Sequence, residues 1–205
     1  MERLKLEEVE EKEAAKQAAG VLSRGGVIVF PAERLYGLGA SAEKSSAVDK
    51  VLGLKNRPKN VPLPLVAGDM EMVKKWVKIP ERALQLAEKF WPGPLTLVLE
   101  PIKVVPPGIL GGSGKLGIRV PGNRVAREIS QVLGAPYTAT SCNVSGREPG
   151  KTAGEAVAGL CGEVDLVLDG GELAGPPPST VVLVDGESIR VIRAGAINTS
   201  TLESI

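Results

Sequence analysis

A run of basic residues stands beside two prolines in the segment "LKNRPKNVPL", residues 54–63. Lys55, Arg57 and Lys59 occupy alternate positions, and a residue that precedes proline favours an extended backbone. Alternate side chains of an extended segment project to the same side, so this spacing predicts that the three cations converge. Converging cations without carboxylate neighbours suit a polyphosphate, since arginine offers a bidentate fork and lysine a point charge. The alternative is a loop whose charges only keep it in solvent, but a solvating loop does not need stiffening by prolines.

A second polar segment, "TATSCNVSGREPGKTAGE", covers residues 138–155 and joins a predicted strand to a predicted helix. Its turn supplies the hydroxyl and amide groups of Ser141, Asn143 and Ser145. Turn amides and a helix start can together bind an anion. The segment lacks the Gly-x-x-x-x-Gly-Lys-Ser/Thr order of a P-loop, which excludes that kind of phosphate site. From the residues alone, a plain turn whose side chains bond to their own backbone is an equally good interpretation.

Three further segments place polar residues at the ends of predicted strands. Arg119 in "GIRVP" and Arg193 in "VIRAGAI" lie inside or just after apolar strands, although a strand arginine usually faces water. Ser179 in "PPPSTVV" stands where a strand begins, and a simple strand start explains it equally well. Glu33 and Arg34 follow the first predicted strand, where α/β enzymes tend to bind ligands.

The composition excludes several classes of site. The 205 residues include 25 lysines and arginines and 24 aspartates and glutamates, for a net charge of +1. This balance argues against general attraction to nucleic-acid backbone. The absence of histidine excludes a Ser-His-Asp triad and a histidine-ligated metal, and two cysteines cannot close a zinc site. The charged N-terminus and the lack of a long apolar run predict a protein of the reducing cytoplasm, with no secretory signal and no contact with a membrane.

Helices and strands are predicted in mixed order from the hydrophobic pattern. Helices are expected at residues 7–19, 45–55, 69–78, 81–90, 123–133 and 152–160. Strands are expected at residues 27–31, 63–67, 95–100, 115–121, 137–141, 164–168, 180–184 and 189–193. The late strands follow one another too closely for helical crossovers, which favours an α/β or α+β sheet of mixed direction with helices packed on it. Because no linker divides the chain, residues 1–205 are expected to form one domain, with a loose polar tail at about 198–205.

These segments, in this order, resemble the YrdC family of threonylcarbamoyl-AMP synthases. The resemblance rests on "PAERLYGLG", "KNRPKNVPLPLV", "FWPGPLTLVL", "GIRVP", "ATSCNVSG", "PSTVV" and "RAGAI". It implies the family's fold, a twisted open mixed α/β sheet with a concave basic pocket, in its single-domain form. It also implies a nucleotidyltransferase that combines L-threonine, bicarbonate and ATP into threonylcarbamoyl-adenylate and pyrophosphate. The product would serve the modification of adenosine 37 in tRNA through a downstream threonylcarbamoyl transferase.

The resemblance also assigns site residues. The family's catalytic Lys-x-Arg and Ser-x-Asn pairs fall on Lys55, Arg57, Ser141 and Asn143. ATP is expected to contact these four residues and also Lys59, Lys115, Pro149 and Arg193. L-Threonine is expected to contact Arg34, Arg119, Ala139 and Ser179. Magnesium would be held through ATP phosphates and water, without a set of protein ligands.

The sequence departs from the family's pattern on what is expected to be the amino-acid side of the site. Ala32 and Arg34 stand where the family usually has threonine, and Val66 stands where it often has histidine. A buried unpaired arginine is costly, so Arg34 is expected to have a partner: Glu33, a carboxylate substrate or solvent. These changes predict retained ATP binding and an altered amino-acid pocket.

Two other functions stay open from the sequence. One is a non-catalytic module that binds double-stranded RNA or tRNA. The near-zero net charge and the presence of only six aromatic residues argue against strong RNA affinity. The other is a carbamoyl-transfer relative that acts on a different substrate.

Overall fold

A computed structural model describes residues 1–175 and 177–203 of the chain. This part of the chain contains eleven strands and eight helices. The strands are β1 (Glu2–Lys5), β2 (Val27–Pro31), β3 (Tyr36–Ala40), β4 (Leu65–Val66), β5 (Leu95–Leu99), β6 (Leu116–Arg119), β7 (Tyr137–Thr138), β8 (Thr140–Ser141), β9 (Leu166–Asp169), β10 (Thr180–Asp185) and β11 (Ser188–Arg193). The helices are α1 (Glu11–Ser23), α2 (Ser45–Leu54), α3 (Met70–Lys74), α4 (Glu81–Phe90), α5 (Pro107–Leu110), α6 (Arg124–Leu133), α7 (Ala153–Ala158) and α8 (Thr199–Glu203).

The strands form two mixed sheets, which confirms the mixed α/β class. One sheet has the order β1-β9-β2-β3-β8, and the other has the order β11-β10-β5-β6-β4-β7. Each contains parallel and antiparallel pairs, such as β2 parallel to β9 and antiparallel to β3. The predicted strand at 137–141 is split between the sheets, because β7 pairs with β4 whereas β8 pairs with β3. The chain therefore crosses from one sheet to the other at Ala139.

Helix α1 packs against α6 through small side chains. Ala14, Ala15 and Ala18 of α1 are fully buried in the same apolar cluster as Ala126 and Ile129 of α6. Alanines at this spacing lie on one face of the helix and allow the two backbones to approach closely. The predicted capping box of α7 is confirmed, since the Thr152 and Glu155 side chains each accept from the other residue's backbone amide.

Four local predictions were wrong. Residues 2–5 form a strand beside β9, so the first helix begins at Glu11 rather than at residue 7. The strand β3 was not predicted, because glycines in "YGLGA" conceal its apolar alternation. The expected loose tail is instead helical over Thr199–Glu203, where Leu202 is fully buried, and the last two residues lie outside the described part. Residues 55–59 were expected to be extended, but they form a turn that is described below.

The single-domain organisation stays a prediction.

Among the described residues, no helix has the length and apolar character needed to cross a membrane.

Candidate functional site

A cavity of about 360 Å³ lies where the chain passes between the two sheets. The crossing residue Ala139 lines it, and its amide donates to Pro64 O at 2.8 Å. The segments that follow β2, α2 and β8 contribute to the wall, as do the segments that precede β5 and β10. Two strands, β6 and β11, each end at the cavity in an arginine. The site is therefore built from both sheets.

The cavity is strongly basic. Among the described residues its lining contains five arginines and one carboxylate: Arg34, Arg57, Arg119, Arg147, Arg193 and Glu33. Burial lowers the pKa of Arg57, and the charge of Arg193 lowers it further. Burial and the charge of Arg119 likewise lower the pKa of Arg193. We call Arg57, Arg193 and Arg119 the arginine row; their mutual repulsion favours an anionic ligand.

Lys55 supports the cavity without being part of its lining. It is the C-cap of α2 and is 1% exposed. Its Nζ donates to Ser141 O, to Asn143 O at 2.6 Å and to Asn143 Oδ1 at 3.1 Å. The Ser145 amide donates in return to Lys55 O at 2.9 Å. Lys55 thus ties the end of α2 to the polar turn, 86 residues further along the chain.

The polar turn, residues 141–147, is ordered from within by Asn143. The Asn143 side-chain oxygen accepts from Ser141 Oγ at 2.6 Å as well as from Lys55, and its nitrogen donates to Arg147 O. Both Ser141 and Asn143 line the cavity. Because the Ser141 hydrogen is directed to Asn143, the Ser141 oxygen keeps a lone pair for a donor or a cation. The two polar segments identified in the sequence therefore meet at this cavity.

The expectation that three cations converge in the first segment was wrong. The chain turns after Lys55, since Asn56 adopts a φ of +46°. Arg57 lines the cavity, and its guanidinium donates to Pro62 O at 2.8 Å. The Lys59 side chain is 77% exposed and pairs with Asp49 at 3.1 Å. Of the three cations, Arg57 is therefore the one that lines the site.

Three residues assigned to ATP do not line the cavity. They are Lys55, Lys59 and Lys115, whereas Pro149 and Arg193 belong to the lining. Lys115 is half-buried immediately before β6, where its charge contributes to lowering the pKa of Glu100.

At the other end of the arginine row, Arg119 is fixed by a carboxylate. Its guanidinium lies 2.8 Å from Glu33 Oε2, with the two side chains 11% and 22% exposed. The Gly122 amide donates to Glu33 Oε1 at 2.6 Å and holds the carboxylate in place. This arrangement orients Arg119 before any ligand binds.

Arg193 contacts Ser179 in the middle of the cavity wall. Its guanidinium donates to Ser179 O at 2.8 Å and to Ser179 Oγ at 3.2 Å. Gly195 packs directly against the same backbone, because a Cβ there would lie 2.5 Å from the Ser179 carbonyl carbon. The "RAGAI" segment therefore needs glycine at this position for packing.

A family model for Sua5/YciO/YrdC proteins, described as telomere recombination, matches residues 20–195. The chain belongs to this family. That membership confirms the family expected from the sequence motifs.

Relatives in the Sua5/YciO/YrdC family are similar over most of this chain. A threonylcarbamoyl-AMP synthase of Pyrococcus abyssi is 34% identical over 92% of this chain and 56% of its own length. A putative threonylcarbamoyl-AMP synthase of Methanocaldococcus jannaschii is 32% identical over 94% of this chain and 90% of its own length. The crystal structure of P. abyssi Sua5 in complex with L-threonine has a TM-score of 0.90 at 33% identity, covering 99% of this chain and 59% of that one. The chain thus spans little more than half of the Pyrococcus protein.

The departures from the Sua5/YciO/YrdC pattern fall at different places. Ala32 and Arg34 line the cavity, as expected. Val66 does not, because it is fully buried in the apolar cluster beneath α6, so its placement on the amino-acid side was wrong. Arg34 Nε donates to Gly175 O at 2.8 Å, whereas Glu33 pairs with Arg119.

Thr96 and Arg147 are among the cavity residues that the sequence did not indicate as site residues. Thr96 lies in the apolar strand "LTLVL", where one polar residue among buried neighbours was an available signal. Arg147 lies in an exposed turn whose sequence carries no such signal.

Proposed function

We propose that this chain is a threonylcarbamoyl-AMP synthase, which forms threonylcarbamoyl-adenylate and pyrophosphate from L-threonine, bicarbonate and ATP. The arginine row carries the proposal, since it gathers like charges in a cavity of small-molecule size. Names of relatives that share most of this chain support the same activity. The P. abyssi relative is longer, and this chain covers 56% of it. The proposal is that the part shared with this chain is sufficient for the activity.

The nucleotide would occupy the end of the cavity formed by Arg57, Arg193 and the polar turn. A triphosphate carries several negative charges, and its binding would relieve the repulsion between the two arginines. The Ser141 oxygen faces the cavity with a lone pair, which suits a cation bound to the phosphates. Lys55 would act by holding the polar turn, since its three acceptors are protein oxygens.

The amino acid would occupy the end near Arg119. A guanidinium recognises a carboxylate through two parallel hydrogen bonds, and Glu33 already fixes the orientation of Arg119. Ala139 and Ser179 line the same cavity and would contact the rest of the substrate. Arg34 and Ala32 would set the shape of this end.

The reaction requires little covalent work from the protein. The threonine amine would attack bicarbonate to give a carbamate with loss of water. A carbamate oxygen would then attack the α-phosphorus of ATP as the bond to pyrophosphate breaks. The protein would align the three reactants and match the charge that moves onto pyrophosphate.

Magnesium fits this site as an ion bound mainly by substrate. The described residues contain no group of three or more histidine, cysteine, aspartate or glutamate side chains that could hold a metal. Phosphate oxygens and water would therefore supply most ligands, as magnesium often prefers. Its chemistry would be to neutralise charge on the phosphates.

The product would pass to a transferase that modifies tRNA adenosine.

The alternative of a duplex-RNA module is less consistent with the placement of the arginines. They line a cavity of about 360 Å³, and a small molecule fits such a volume whereas a duplex does not.

A pyrophosphate-release assay tests the proposal. ATP, bicarbonate and each amino acid in turn are supplied to the chain, and release is expected only with all three reactants and with L-threonine favoured. Equal release with carbamoyl phosphate in place of threonine and bicarbonate would instead indicate a carbamoyl-transfer relative. Salt-dependent RNA binding without any pyrophosphate release would indicate the RNA-binding alternative.

Binding of ATP should take up a proton near pH 8. Burial and the charge of Arg57 lower the pKa of Lys55 to about 8, so about half of the ligand-free molecules carry a neutral Lys55 at that pH. A bound polyphosphate favours the charged form and raises this pKa, so binding draws protons from solvent. Calorimetry of Mg-ATP binding in buffers of different ionisation enthalpy should give an uptake of about half a proton at pH 8. At pH 6.5 the uptake should vanish, since Lys55 is then already charged. An uptake independent of pH would contradict the role of Lys55.

A further inference from the structure

The segment "FWPGPLTLVL", residues 90–99, brings a buried hydroxyl to the cavity wall. The Gly93 amide donates to Val120 O at 2.9 Å, and Pro94 O accepts from the Thr180 amide at 2.9 Å. These bonds fix the start of β5 between β6 and β10. Thr96, the second residue of β5, lines the cavity and is 3% exposed. A polar side chain at such a place needs a partner.

The partner of Thr96 is Ser179. The two hydroxyl oxygens lie 3.0 Å apart, and Ser179 Oγ also accepts from Arg193 at 3.2 Å. A hydroxyl oxygen has two lone pairs and one hydrogen, and a guanidinium can only donate. The Arg193 guanidinium therefore occupies one lone pair of Ser179 Oγ. If the Thr96 hydroxyl donates to the second lone pair, the Ser179 hydroxyl hydrogen is left to bind a third group.

Burial decides which hydroxyl donates. Thr96 is almost fully buried, so its hydrogen would lack a solvent partner if Ser179 donated to it. Ser179 is half-buried at the cavity wall and can direct its hydrogen into the cavity. The favoured arrangement is therefore Thr96 and Arg193 both donating to Ser179, with the Ser179 hydrogen facing the ligand.

The charges nearby indicate what this hydrogen binds. Arg193 holds Ser179, and Arg119 lies close enough to Arg193 for its charge to be felt there. Arg119 in turn has its orientation set by Glu33 at 2.8 Å. An anionic oxygen between these groups would receive both a guanidinium and a hydroxyl donor, which is the requirement of a carboxylate.

We propose that Thr96 is a positioning residue that turns the Ser179 hydroxyl into a donor for the carboxylate of the amino-acid substrate. This inference rests on the proposed function, since it names how that substrate's carboxylate is held. Thr96 itself does not contact the substrate. Its role is to remove the rotational freedom of the Ser179 hydroxyl before binding.

Calorimetry with L-threonine and L-threoninamide tests this role in the whole chain. Thr96→Val keeps the shape of the side chain but removes the hydroxyl, and should weaken threonine binding about tenfold. Threoninamide, which lacks the charged carboxylate, should lose at most about twofold. Thr96→Ser keeps the hydroxyl and should restore threonine affinity to within about twofold of the original. Ser130→Ala serves as the matched control, because it removes a buried hydroxyl bonded to Ala135 O, away from the cavity.

The outcomes separate this inference from the proposed function. Loss of threonine affinity in Thr96→Val, with rescue by serine and little change for threoninamide, supports the positioning role. Equal threonine affinity in Thr96→Val and the original chain overturns the role alone. Equal losses for threonine and threoninamide, or a similar loss in Ser130→Ala, also overturn it by indicating a general structural effect. An original chain that binds no threonine overturns the proposed function together with this inference.

Discussion

Replacing Lys55 with methionine should lower the rate of pyrophosphate release by at least about 100-fold. Methionine has a similar length but offers no donor, so Ser141 O, Asn143 O and Asn143 Oδ1 each lose a charge-assisted bond. Such bonds contribute about 1.5–3 kcal/mol each, and an acceptor left buried and unpaired adds a further cost. The polar turn would no longer hold Ser141 at the cavity, so ATP binding should weaken as well.

The control for this variant is Lys50→Met on the same helix. Lys50 is exposed, and among the described residues it donates only to Gly25 O at 3.3 Å, so its loss should change the rate by less than about twofold. Unfolding in urea should show a loss of about 4.5 kcal/mol for Lys55→Met, which is three bonds at the low end of that range, and little change for Lys50→Met. An active Lys55→Met enzyme would show that the polar turn is stable without its lysine.

How far the sequence predicted the site depends on the range of the interaction involved. The motifs placed Arg57, Ser141, Asn143 and Arg193 at one site, and the structure brings all four to the cavity. The capping box of residues 152–155 was also predicted correctly, because it depends only on residues that are close in the sequence.

Lys55 shows what the sequence could not supply. The helix predicted at 45–55 is confirmed as α2, which ends at Leu54. The alternate spacing and the prolines predicted that Lys55 would project with Arg57 and Lys59, but Lys55 is the C-cap of α2 and is buried. The acceptors for Lys55 come from a turn 86 residues away, and no local pattern encodes that contact. Lys59 was predicted to converge on ATP, but its side chain is exposed and pairs with Asp49.

The division into two sheets was also beyond the sequence. "YTATS" reads as a continuous strand, yet β7 and β8 pair with different sheets on either side of Ala139. Strand partners depend on the whole packing arrangement rather than on the propensity of the strand. The cavity exists because of that crossing, so its shape could not be predicted from periodicity alone.

Replacing Arg119 with alanine should weaken L-threonine binding about 100-fold. The variant removes the guanidinium proposed to hold the substrate carboxylate. It also leaves Glu33 without its ion pair at 2.8 Å, so a negative side chain would face an incoming carboxylate. Affinity for ATP should fall much less, because the end of the cavity proposed for the nucleotide keeps both Arg57 and Arg193.

The double variant Arg119→Ala/Glu33→Ala separates these two causes. Removing Glu33 as well eliminates the repulsion, so threonine affinity should recover about fivefold relative to Arg119→Ala while staying below that of the original chain. Glu33→Ala by itself should weaken threonine binding because Arg119 loses its fixed orientation and its link to the Gly122 amide. Calorimetric titration of all four proteins gives the coupling between the two residues. A double variant that binds threonine no better than Arg119→Ala would show that the Glu33 charge does not reach the carboxylate. The amino acid would then lie elsewhere in the cavity.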